Sequence, residues 1–102
     1  MSKLYITEFS RLGISSNGGT AQIMDFDSVV TVQPPIDYSA GAAQSAAISD
    51  GTRYVRVETD AICSIKYGSN PTATTNDQRM AAGDVEHFYV SRGNKISVIT
   101  NT

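Results

Sequence analysis

The chain has 102 residues, room for one domain, with a net charge of −2, 40% hydrophobic and 18% charged residues. That balance excludes a disordered tail, and it supplies no basic stripe for nucleic acid and no attraction to an anionic membrane. With Cys63 as the one cysteine, an internal disulfide is excluded too. No apolar run approaches the ~18 residues of a spanning helix. The first residues lack the apolar block of a signal peptide, so a protein made and kept in a cytoplasm is expected. A charged share this low, with abundant Ser, Thr, Asn, Ala and Gly, suits surfaces that meet other proteins, because few charges need desolvating on contact.

Residues 4–9 alternate weakly, and the glycine-rich loop at 13–20 follows them. Residues 1–20 are therefore expected to form an N-terminal arm or edge strand plus loop, with the residues before Gly13 removable without loss of the fold. Residues 21–102 are expected to form the β-sandwich domain. Strands are expected at 21–24 and 29–33. The second of these is rich in β-branched residues and stops at Pro34-Pro35, which cannot donate to a ladder. Ile36, Asp37 and Tyr38 leave that kink as a short extended piece. The Ala/Ser-rich run at 39–49 reads as a loop leading into a strand at 44–48. Asp50-Gly51 is a tight-turn signal that makes this strand a hairpin with the next one.

Residues 52–100 carry the clearest pattern. Val55 and Val57 alternate with Tyr54, Arg56 and Glu58, the period of a half-buried strand. Residues 62–67, 86–90 and 95–100 repeat it, with turn chemistry at Thr59-Asp60, Gly68-Ser69-Asn70-Pro71, Gly83-Asp84 and Arg92-Gly93-Asn94. Two strand pairs follow, 52–59 with 62–67 and 86–90 with 95–100, and a short strand re-enters at 79–83. The expected fold is all-β: one jelly-roll-like antiparallel sandwich of seven to nine short strands with no helix.

Chemistry-bearing constellations are sparse. His87 is the only histidine; with no Gly-x-Ser-x-Gly elbow beside it, it reads as a residue on the wet face of a strand. One His and one Cys do not make a zinc site. Cys63, in phase with Ala61 and Ile65, reads as a small buried hydrophobe. Asp25 and Asp27 share a face if extended, but nothing of an EF-hand follows, and they read as a solvated turn around Phe26. The tyrosines lack the basic groove of a single-strand binder, although Tyr, Asn and Asp also suit sugar hydroxyls. No catalysis, cofactor or metal is expected.

From Thr52 onward the residues resemble a known family. Arg53-Tyr54-Val55-Arg56-Val57, Cys63-Ser64-Ile65-Lys66-Tyr67-Gly68 and Asn70-Pro71-Thr72-Ala73-Thr74 form one half. Residues 80–90 and Gly93-Asn94-Lys95-Ile96-Ser97-Val98-Ile99 form the other. This half of the chain is similar to head-accessory (decoration or cement) proteins of tailed bacteriophages. The resemblance implies a jelly-roll-like sandwich, trimeric by family habit, on the outside of the capsid where it stabilises the head. Its partners would be the major capsid protein and its own copies, not nucleic acid or membrane. The family supplies no motif for the contact residues. Apolar character and loop or arm placement nominate Leu4, Tyr5, Ile6, Phe26, Pro34, Pro35, Ile36 and Tyr38. A neck, tail or fibre protein, or a carbohydrate-binding module, is the alternative.

Overall fold

Extended backbone turns alternate side chains to opposite sides, and this settles the place of the first strand. The computed structural model describes residues 2–14, 20–24 and 28–101. In it β1 (Lys3–Phe9) buries Leu4, Ile6 and Glu8 on one side and leaves Tyr5 exposed on the other. β1 pairs along its length with β7 (Tyr54–Thr59), in the register Ile6↔Val57. Its other side pairs with β4 (Val29–Val32) and β5 (Ile36–Asp37). β10 (Val85–Tyr89) lies beyond β7, giving a five-stranded sheet ordered β10-β7-β1-β4, with β5 also on β1. The expected arm or edge strand is thus corrected: β1 is an inner strand, bonded on both sides.

The second sheet has four strands, ordered β6 (Ala43–Gln44), β11 (Lys95–Thr100), β8 (Cys63–Gly68), β9 (Gln78–Met80). β2 (Leu12–Ile14) and β3 (Thr20–Met24) pair only with each other. Among the described residues every pairing is antiparallel, and nine strands in two sheets form an all-β sandwich, with β2 and β3 as a separate pair.

Its wiring corrects both expected strand pairs. β7 does not pair with β8, nor β10 with β11. Each pair is an arch, whose first strand lies in the five-stranded sheet and whose second lies in the other. β7 pairs instead with β1 and β10, and β8 with β11 and β9. This neighbour order is that of a jelly roll, with one change: β1, which precedes the rest, takes the place of the jelly roll's last strand. The 44–48 segment also changes partner. Only β6 is regular, yet the extended chain continues along β11: the Ser45 N–H donates to Ile96 O at 2.7 Å and the Ile48 N–H to Asn94 O at 2.8 Å. No hairpin with β7 forms. The turn at β10–β11 contains Gly93 at φ 82°, and the one before β10 contains Gly83 at φ 84°, a backbone region costly for other residues.

Leu4, Ile6, Val55 and Val57 from one sheet meet Ile65, Met80, Ile96 and Val98 from the other in a single core. Each such side chain stabilises the fold by about 1.5–3 kcal/mol. Tyr38, also fully buried, locks the β7–β8 arch. Its hydroxyl lies 2.6 Å from Thr59 Oγ1 and donates to Ala61 O at 3.1 Å. Pro34 and Pro35 are exposed between β4 and β5, where three steps along β1 match four along the edge. This bulge, with no N–H to offer, blunts that sheet edge against further pairing.

Burial pushes the Cys63 thiol above its ordinary 9.0, partly offset by hydrogen bonds with Thr59 and Tyr38. Burial likewise pushes the Tyr38 phenol above its ordinary 10.0. The folded chain therefore keeps protons that the unfolded chain releases. That stability is complete below about pH 9 and falls as the pH rises through the raised folded values. Thermal melts between neutral and strongly alkaline pH are expected to show the decline, with Cys63 unreactive toward thiol reagents until unfolding begins.

Candidate functional site: an uncovered sheet face

The two outer faces of the sandwich differ. On the four-stranded sheet, the loop at residues 69–77 lies across the strands. The Ala73 N–H donates to Ser97 Oγ at 2.9 Å, Gln44 Nε2 to Pro71 O at 2.6 Å and Asn101 Nδ2 to Thr75 O at 3.2 Å. Ser64 and Ser97, which alternation turns away from the core, are consequently buried.

Among the described residues, no such loop lies over the central rows of the five-stranded sheet's outer face, although Phe9 at its end is buried. Val32 is 65% exposed, Tyr89 62% and Tyr5 42%, and Val30 and Val85 are also exposed. Register places them together. One row across the sheet reads His87, Arg56, Thr7, Val32; the next reads Val85, Glu58, Tyr5. Tyr89 stands opposite Tyr54, their rings edge to face at 5.7 Å. Rows lie about 7 Å apart along the strands. At the centre Arg56 Nη1 contacts Glu58 Oε1 at 3.3 Å, a half-exposed pair whose stabilising effect is small. Exposed valines and tyrosines gathered on one sheet face mark an interaction site more often than singly scattered ones do.

The residues nominated from sequence divide. Leu4, Ile6 and Tyr38 are corrected from contact residues to core, since all three are fully buried. Ile36 packs half-buried against that core. Tyr5 does lie on the exposed face, while Pro34 and Pro35 sit exposed on the blunted edge. Phe26, with Asp25 and Asp27, lies outside the described residues. His87 is exposed. Val30, Val32, Val85 and Tyr89 were not nominated. In sequence they read as ordinary strand residues, and only the pairing shows which side of them is wet.

A depression of about 250 Å³ adjoins the face, lined by Thr52, Arg53, Tyr89, Ser91 and Arg92 among others. It is small for a ligand site, and Arg92 is already paired with Asp50 at 3.2 Å. Among the described residues no three His, Cys, Asp or Glu side chains converge as metal ligands, and no helix is long and apolar enough to cross a membrane.

Fold and surface thus define an all-β sandwich with one covered and one uncovered face. No protein-family model, curated protein or solved structure matches the chain.

Proposed function

We propose that the chain is a non-enzymatic structural protein of a tailed-phage virion that binds the outside of the capsid and stabilises the head. Its partners on this reading are the major capsid protein and copies of itself, three by the sequence resemblance. The supporting observation is the uncovered, tyrosine- and valine-bearing face of the five-stranded sheet, on a chain whose other face is closed by its own loop. A rigid sheet face offers contact area at little entropic cost, because its side chains are already held by their cross-strand neighbours. Several copies bound around one junction add modest contacts into high avidity against the outward pressure of packaged DNA.

Co-sedimentation with mature heads stripped of accessory proteins tests the reading. Saturable binding is expected, with a gain in heat resistance of the particle. Tyr89→Ala and Val32→Ser are expected to weaken binding about tenfold or more while leaving the fold intact, as for contact residues that touch no core. Absence of binding to heads would overturn the proposal. The depression beside Tyr89, with an aromatic ring and arginine, favours a second reading as a carbohydrate-binding module, which glycan-array binding lost on Tyr89→Ala would support.

A further inference from the structure

Resting on the reading of this sheet face as a contact surface, we infer that in the free protein, before it meets a head, a second copy of the same chain covers it, packed face to face about a two-fold axis, and that the head displaces this copy. Three features carry the inference. The face is a regular sheet surface, with exposed valines and tyrosines around a central charged pair, of the kind that packs sheet on sheet. Its extent suits a pair: four strands about 4.8 Å apart, each presenting two or three outward side chains, bury on the order of 1,000 Å² when two such faces meet. That reaches the lower bound for a specific interface and fits a dimer that dissociates on dilution.

The third feature is charge. Arg56 and Glu58 stand side by side on the same strand near the middle of the patch, so the face is complementary to itself under one operation. A two-fold axis lying in the interface, perpendicular to β7 and midway between these residues, brings Arg56 of each copy over Glu58 of the other. The same axis sets Tyr5 opposite Thr7 of the second copy, and His87 opposite Val85. An axis parallel to the strands would instead bring Arg56 onto Arg56. The charges therefore select one packing and one register.

Charge reversal separates this arrangement from a general loss of stability. Arg56→Glu leaves two carboxylates at the centre of the face, and Glu58→Arg leaves two guanidiniums. By sedimentation equilibrium the unmodified protein is expected to dimerise, and each variant, folded by circular dichroism, to self-associate at least tenfold more weakly. Mixed one to one, the two variants are expected to recover a dimer, because each cation then faces a carboxylate on the other chain. An unmodified protein that is monomeric at every concentration or trimeric in mass would overturn the inference, as would charge reversal without effect or mixing without recovery. No heads enter this experiment. Binding to heads without dimers would sink the pair and leave the capsid reading standing, and dimers without binding to heads would do the reverse.

Discussion

Removal of residues 2–10 is expected to leave no folded protein. β1 lies between β7 and the β4–β5 edge and is bonded to both. Its loss withdraws Leu4, Ile6 and Phe9, all buried. Together they stabilise by about 5–9 kcal/mol at ~1.5–3 kcal/mol each, before any ladder hydrogen bond is counted. A domain of this size has about 5–15 kcal/mol in total. The truncated chain also splits the five-stranded sheet, separating β4 and β5 from β7. Far-ultraviolet circular dichroism and a thermal melt check the outcome. A cooperative melt near that of the full chain would contradict the inner place of β1; under the arm expected from sequence, the same truncation would leave the fold intact.

Replacement of Glu8 is expected to have the next largest effect. It follows Leu4 and Ile6 on the inward side of β1 and is 1% exposed. Its Oε1 accepts the Ser49 N–H at 3.0 Å and the Thr52 hydroxyl at 2.7 Å, and its Oε2 accepts from Gln33 Nε2 at 2.7 Å. The Gln33 carboxamide in turn bonds both backbone groups of Ala46: Oε1 accepts its N–H at 3.2 Å, and Nε2 donates to its O at 3.4 Å. One carboxylate thus ties the irregular crossing at residues 45–52 to the five-stranded sheet. Glu8→Ala strands two buried donors and a part-buried one, each costing about 1–3 kcal/mol, so a loss of about 3–5 kcal/mol is expected after partial relaxation. Glu8→Gln keeps one acceptor and sets its new amide NH2 against the Gln33 donor, for a loss of about 1–3 kcal/mol. Urea unfolding midpoints in the order unmodified, Glu8→Gln, Glu8→Ala check both. An unchanged midpoint for Glu8→Ala would show that the network is not a stabilising tie.

The sequence carried the strands more clearly than their neighbours. β7 is legible because Val55 and Val57 alternate with polar or amphipathic residues, and both valines are buried. The stop at Pro34-Pro35 is legible because proline has no ladder donor. Pairing is not legible from the same signals. A short turn such as Thr59-Asp60 joins two strands whether they bond in one sheet or face each other across a core, and alternation is identical in both. The placement of Leu4 and Ile6 failed for a related reason: their partners on β7 lie some fifty residues away, and nothing local announces them. Glu8 reads as a surface residue by type, since a lone carboxylate is seldom fully buried. Its partners come from three separate segments. The exposed face escaped notice because Val30 and Val32 look like core. Burial on one side of a β-branched run is decided by what covers the other side.

The inner place of β1 also bears on how the chain comes to be folded during synthesis. Ile6 pairs with Val57, so β1 leaves the ribosome about fifty residues ahead of β7. At ~5–20 residues per second, this leaves a strand carrying Leu4 and Ile6 without its main partner for about 3–10 s. Closing so long a loop before any contact repays it makes this a slow step. A chaperone that holds short apolar segments would find its substrate at this stage, and a pause in translation before Tyr54 would lengthen the exposure. β1 is thus made well before the strand that secures it.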